Sequence, residues 1–433
     1  VSVKPGTTAE TGLGPVTARH PLRERGFRLY FASMTLSSFG SSMTQVALPF
    51  AVFGIGGGGA GLALVYAAMT VPKVVLVLVG GVISDRLDRR AVLFASNAMQ
   101  ALAQLGTMVL LMVPGSSIWG VVGLAVVYGS ANAFVGPAQT GLLPELVPAL
   151  AIQRANSLLR MSLNAAKIIG PSAAGVVVAT ANPGWAYAVD GVTFILAALA
   201  MIRLPAPRGR ARVPGGAVLP DLLTGWREFS RTAWIWLMVS GFAIYQATVL
   251  PAIYVLGPVI TRHGIGVSGW AAILTARGVG AVLAGFPLLR WHPSRPIMVA
   301  AALLLLDVPL LAALAGGAGL PLLLITAALS ALALTAADAL WETSLQQRVR
   351  PELLSRISSF DWFGSTVFSP VGYAAVGAMV GHVSPVTLLS VIACAHGLLH
   401  LLLPCLPAIR DMAGRDAGEK LSEVASDCPD THY

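Results

Sequence analysis

The sequence predicts an all-α membrane protein whose twelve transmembrane helices fall into two pseudo-symmetric six-helix bundles. Three observations carry that prediction. Composition is the first: 56% of the 433 residues are hydrophobic and only 11% are charged, where a soluble domain carries about 25% charge. Such a chain has too little polar surface to stay dispersed in water, whereas lipid solvates the excess. The second is repetition. Apolar runs of roughly 20 residues recur along the chain, and at about 1.5 Å rise per residue each can cross a bilayer core of about 30 Å. The third is the arginines, which gather in every second connection.

Residues 1–27 form a polar, turn-rich arm expected on the cytoplasmic side. The arm lacks the basic, apolar, small-residue order of a signal peptide, so the first apolar run is expected to stay in the protein. A first bundle over 28–203 holds runs at about 29–53, 61–79, 91–113, 118–139, 158–180 and 185–202. Between the second and third, residues 80–90 (GGVISDRLDRR) compress dense charge into what reads as a short aqueous loop. Residues 204–231 are rich in arginine and proline and read as a basic linker. A second bundle over 232–406 holds runs at about 232–259, 267–289, 296–315, 320–341, 358–380 and 384–406. A polar tail, 407–433, follows.

Orientation comes from charge. Arg86, Arg89, Arg90, Arg154, Arg290, Arg295, Arg348, Arg350 and the arginines of arm, linker and tail fall on one side, with Arg262 the exception. The positive-inside bias then places both termini in the cytoplasm, as an even number of crossings requires. The bundles also echo each other: Pro144-Glu145 and Pro351-Glu352 follow the fourth and tenth runs, and Gly170-Pro171 and Ser369-Pro370 lie at comparable depth in the fifth and eleventh. Paired copies let a transporter rock one bundle against the other around a central site.

Other classes fit poorly. Net charge is +9, but the basic residues sit in connections and leave no nucleic-acid footprint. Cys394, Cys405 and Cys428 have neither metal spacing nor a disulfide pattern. No phosphate-binding glycine loop and no nucleophile–base–acid spacing occurs, so neither ATP hydrolysis nor another enzymatic activity is expected, and no cofactor is called for.

The segment Gly81, Asp85, Arg86, Arg89, Arg90 matches G-x-x-x-D-R-x-x-R-R, with Asp88 where a glycine is usual, and NAAKIIGPSAAG places Gly170, Pro171 and Gly175 in a G-P-x-x-x-G pattern. With Pro144, Glu145, Arg154, Ala155 and Asn156, these residues resemble the major facilitator superfamily, nearest its drug and siderophore exporters, a branch that includes macrolide-efflux and enterobactin-exporter proteins. The resemblance covers about 25–407. It implies the major facilitator fold, a cytoplasmic gate at Gly81, Asp85, Arg86, Arg89 and Arg90, and an exporter-like fifth helix. In that helix Pro171 permits a bend, and Gly170 and Gly175 permit close approach. Two departures stand out. The fourth run has no arginine, which puts the usual proton relay in doubt, and the eighth connection keeps Gly285, Arg290 and Arg295 without an aspartate.

Charged residues at membrane depth are expensive unless paired or wet. The candidates for coupling or for a cavity are Lys73, Arg277, Asp338, Glu342 and Asp361, with Lys167 and Asp307 also at depth. Arg277 is expected to face Asp338 or Glu342, and Asp338 is expected to carry proton coupling. Asp190 is a further charge at depth that reads first as a cap at the start of the sixth run, and the resemblance implies that Asp307, on the ninth helix, lies in a support away from the cavity. Gln45, Tyr128, Asn132, Tyr245, Gln246 and Trp341 are the polar and aromatic candidates for lining it, a set that suits a large amphipathic molecule better than a sugar. The expected function is export of such a small molecule from the cytoplasm across the plasma membrane, by alternating access and driven by the proton gradient. The protein would work as a monomer in the lipid bilayer. The alternatives are a metabolite importer on the same fold and a non-transporting scaffold or sensor.

Overall fold

The computed structural model describes residues 20–204, 226–227, 229–288, 290–291 and 293–410; the expected arm, most of the linker and the tail lie outside the described residues. Every element among the described residues is helical. In order, α1 is Arg25–Gly54, α2 Gly58–Arg86, α3 Arg89–Met112, α4 Ile118–Leu146, α5 Ile152–Thr180 and α6 Pro183–Ile202. They are followed by α7 Ala233–Thr261, α8 Gly266–Pro287, α9 Pro296–Ala315, α10 Leu320–Arg348, α11 Pro351–Thr366, α12 Ser369–Met379 and α13 Pro385–Cys405.

Nine of the described helices are long and apolar enough to cross a membrane, and the chain is a multi-span, all-α membrane protein. Those outside the nine are α1, α3, and α11 with α12. The reason in α3 is plain: Ser96, Asn97, Gln100, Gln104 and Thr107 recur at helical spacing and are buried, while Leu102 is 70% exposed. The helix is polar inside and apolar outside, the reverse of a soluble amphipathic helix. In α1 the buried face carries Ser33, Ser37 and Ser42.

Apolarity marks only the part of a helix within lipid, so several expected bounds move. The 80–90 segment is not a loop: α2 continues to Arg86 and α3 begins at Arg89. Asp88 caps α3, its carboxylate accepting from the Arg90 backbone N–H at 2.9 Å. Likewise α4 reaches Leu146, α5 starts at Ile152 and α10 reaches Arg348. The single run expected at 358–380 is broken between α11 and α12, where Pro370 lacks the N–H that would continue the ladder. Pro251 acts in the same way in α7, which passes through a π-helical turn at Ala252–Leu256. Gly372 of α12 lies directly against the carbonyl of Ala247, the one Pro251 leaves without its helical donor.

Asn182 caps α6 through its side-chain oxygen on the Gly184 N–H at 2.7 Å. Asp190 is therefore not a cap; it lies inside α6 and is 0% exposed. Exposed tryptophans mark both ends of the helices: Trp119 and Trp185 near the starts of α4 and α6, Trp236 and Trp291 at the opposite end. That is where indole rings settle at a membrane surface.

Packing divides by level. Helix α3 packs on α4 and α6, α1 on α5 and α6, and α2 on α4; later, α8 packs on α10, α9 on α10 and α13, and α7 on α11 and α12. One core, around Phe27, Leu93, Leu142 and Met201, lies within the first stretch of chain. Another, around Ile235, Ile297, Trp341 and Ile357, lies within the second. A third and larger core joins both, from Val46, Leu62 and Val65 to Ile253, Trp270 and Leu311.

Candidate functional site

The shared core closes one end of the molecule, the end whose connections hold few charges. Tyr66 of α2 stacks on Tyr373 of α12 with ring centres 4.9 Å apart, and Tyr254 of α7 completes the group at 6.1 Å. Small residues close the second seam. A Cβ on Gly175 of α5 would stand 2.6 Å from the Ala271 Cβ of α8, and one on Gly278 would stand 2.5 Å from the Lys167 carbonyl. Ser172 and Thr275 share a hydrogen bond of 3.0 Å along the same line. Gly170 instead seats α5 on α1, where its Cβ would meet that of Ser42 at 2.5 Å, and Pro171 is buried beside it.

Toward the arginine-bearing end the two stretches have separate cores, and charged side chains face one another between α5 and α10. Arg160 and Glu342 form a long ion pair of 3.9 Å with both side chains exposed. Two turns deeper on α5, Lys167 is exposed, and its charge acts on Asp338. Glu342 and Asp361 act on Asp338 as well. Asp361 accepts from the Trp341 indole N–H at 3.1 Å. The wall from α10 and α11 is thus acidic and that from α5 basic. Lys73 on α2 is half-buried without an ion-pair partner among the described residues.

The expected pairing of Arg277 with Asp338 or Glu342 does not form. Arg277 is buried and donates to Ser330 Oγ at 2.7 Å, and Ser330 in turn donates to Asp307 Oδ1 at 2.5 Å. Tyr245 is buried beside the guanidinium. The rotation of α8 turns Arg277 to the inside of the α8–α9–α10 packing, a direction that apolar runs alone do not reveal. Beyond this network, His396 and His400 on α13 are buried, with ring nitrogens 2.9 Å from the Leu304 carbonyl and 3.1 Å from the Ala301 carbonyl of α9. Nothing in the sequence reading singled them out.

Within the first stretch, a cavity of about 170 Å³ is lined by Ser41, Gln45, Tyr66, Gln104, Tyr128 and Tyr187 among others. A second, of about 250 Å³, shares Ser41 and Tyr128 and adds Asn97, Gln100 and Asn132. Three of the expected lining residues, Gln45, Tyr128 and Asn132, therefore meet here, whereas Tyr245 and Trp341 are buried elsewhere and Gln246 is half-buried on α7. Behind the cavity wall sits Asp190, bonded by Ser41 at 3.2 Å and by the Gln104 amide. Sequence reasoning passed over Gln100 and Gln104, although the polar stripe of α3 was there to find them.

At the arginine-bearing end, Arg89 donates to Glu145 at 2.8 Å and to the Gly141 carbonyl, tying α3 to α4. Arg90 pairs with Asp88 at 2.8 Å and donates to the Leu204 carbonyl at 3.0 Å, tying α3 to the end of α6. Gly81, Asp85 and Arg86 lie on the last turns of α2, where side chains are outside the described residues.

Comparison with known proteins matches residues 16–351 to the family described as transmembrane secretion effectors. The multidrug efflux pump Tap of Mycobacterium tuberculosis is 26% identical over 406 residues, 90% of this chain and 95% of that protein. An uncharacterised major-facilitator-type transporter of Bacillus subtilis, YfiS, is 28% identical over 183 residues, 42% of this chain and only 43% of that protein. The enterobactin exporter EntS of Shigella boydii is 25% identical over 49% of this chain and 48% of its own length. Among solved structures, a POT family transporter bound to a thioalcohol-conjugated peptide superposes with a TM-score of 0.71 at 10% identity, over 88% of this chain and 95% of its own. A D-xylose–proton symporter gives 0.68 at 12% identity, over 87% and 96%. At these identities the likeness concerns the fold.

Proposed function

The chain belongs to the transmembrane secretion effector family of major facilitator transporters, a transport protein and not an enzyme, and from that premise we propose that it exports small amphipathic molecules by proton antiport. One observation supports this reading most. Contacts between the early and late helices concentrate at one end, through the tyrosine group and the α5–α8 seam, while opposed charges face each other at the other end. Alternating access needs two such ends, one closed while the other admits substrate. In this reading twelve crossings form two bundles, 28–203 and 232–406, joined by the linker. Both termini are cytoplasmic, so the present state is open to the inside of a plasma membrane, and the monomer is the working unit.

The gate residues Gly81, Asp85, Arg86, Arg89 and Arg90 then hold the cytoplasmic ends of α2, α3 and α4 in register. Asp338 takes the coupling role between α5 and α10, with Lys167 as the cation that faces it in place of Arg277. The substrates named for the relatives, drugs and enterobactin, agree with a cavity of tyrosine rings and amides.

Transport in inside-out vesicles from cells without background pumps tests the reading. An imposed gradient, acid inside the vesicle, should drive a fluorescent amphipathic drug inward, and Asp338→Asn should abolish that accumulation. Movement only in the opposite direction would make the chain an importer.

A further inference from the structure

We propose that Asp190 of α6 is a second proton-binding carboxyl, placed inside the first stretch of chain, and that Ser41 and Gln104 carry its protonation state to the cavity wall. The inference rests on the proton-antiport reading for its purpose, but its geometry stands alone. Asp190 is 0% exposed. Its neighbours are uncharged: the Ser41 hydroxyl at 3.2 Å, the Gln104 amide, and the Thr193 hydroxyl at 3.5 Å. Gly40 brings α1 so close that a Cβ there would stand 2.5 Å from the carboxylate oxygen.

Among the described residues, each helix around Asp190 presents uncharged side chains to it. From α1 come Ser41 and Thr44, from α3 Gln104, from α4 the phenol of Tyr128, and from α6 itself Tyr187 and Thr193. The charged residues of α5 (Arg154, Arg160 and Lys167) are exposed elsewhere. A buried carboxylate without a cation is costly at membrane depth, and neutralisation by a proton removes that cost.

The chemistry balances with one proton. Protonated, the carboxyl O–H donates to Ser41 Oγ, and the serine hydroxyl hydrogen is free to turn into the cavity. When water enters the cavity, Ser41 gives its hydroxyl hydrogen to that water and takes the proton of Asp190, whose O–H bond breaks. Ser41 and Gln104 then donate to the carboxylate left behind, while the Thr193 hydroxyl stays on the Asp190 backbone carbonyl at 2.7 Å. Ser41 lines both cavities and Gln104 one of them, so the proton and the substrate space share the same two side chains.

Infrared difference spectroscopy between acid and alkaline pH on the full chain in liposomes reads this directly. Wild type should show a protonated-carboxyl band that is lost at alkaline pH; Asp190→Asn should delete it and Asp338→Asn should leave it in place. Ser41→Ala should move the band to a new frequency without removing it, because the hydrogen-bond partner is gone and the carboxyl is not. A band that Asp190→Asn leaves unchanged, or one that persists at every pH, would overturn the proposal. Size-exclusion profiles show whether each variant is folded, and should Asp190→Asn fail, the Ser41→Ala shift still decides. In the same liposomes, Asp190→Asn should keep substrate counterflow and lose accumulation driven by the pH gradient. If wild type shows the titrating band but no pH-driven transport, the antiport reading fails and the proton site stands.

Discussion

Asp190 in α6 and Asp307 in α9 are both 0% exposed, yet one is enclosed by uncharged donors and the other lies one serine away from a buried guanidinium. The two halves of the chain thus meet the same problem, a carboxylate at membrane depth, with different chemistry. The later half includes a cation in its packing. Arg277, Ser330 and Asp307 join α8, α9 and α10 into a unit that is electrically complete, and no ligand is needed to balance it. The earlier half surrounds Asp190 with uncharged donors among the described residues and sets a cavity against them. A static brace and a responsive site differ here by the presence of one arginine.

The largest expected effect comes from breaking the brace. Arg277→Ala should lower stability by about 3–5 kcal/mol, since it removes the buried cation that balances the Asp307 charge. The double variant Arg277→Met with Asp307→Leu should recover most of that loss. Thermal unfolding in detergent, followed by size-exclusion chromatography, measures both; a double variant no better than the single would show that the polar network is required for packing itself.

Helix approach is the next lever. Gly40 lets α1 reach Asp190, and Gly280 lets α8 lie against the Ala328 carbonyl of α10. Gly40→Ala and Gly280→Ala should each cost about 1–3 kcal/mol by forcing side chain or backbone aside. The same melting assay separates them: Gly280→Ala should lose its effect in the Arg277→Met, Asp307→Leu background only if the brace itself sets the α8–α10 distance.

A smaller effect is expected outside both buried sites. Asp88 caps α3 and pairs with Arg90, so Asp88→Ala should cost about 1 kcal/mol. It should leave Asp190 undisturbed, which the infrared spectrum of the Asp190 band checks.

The contrast between the carboxylates also marks what the sequence made legible. Apolar runs and alternating arginines located the helices, and Gly170, Pro171 and Gly175 identified a helix of close approach whose neighbours prove to be α1 and α8. Helix ends were misjudged at 80–90 and around Pro370 because hydropathy sees lipid and not the helix that projects beyond it. Partners were harder still. Arg277 was matched to Asp338 by depth along the chain, but depth does not fix rotation, and a turn of α8 directs it to Ser330. Asp190 was read as a cap from its place near a run's start, although Asn182 stood eight residues earlier with the side chain and the following proline that a cap calls for. Gln104 was invisible to a search for charges, yet it lies on a helix-spaced stripe with Ser96, Asn97, Gln100 and Thr107.

The most direct test of the contrast is to melt Asp190→Asn and Asp307→Asn side by side at neutral pH. An asparagine stands in for the protonated form proposed for Asp190, so that variant should stay within about 1 kcal/mol of wild type. Asp307→Asn removes the charge that balances Arg277 and should lose about 3–5 kcal/mol. Equal losses in the two variants would contradict the account, for they would mean that Asp190 is held as a charge just as Asp307 is.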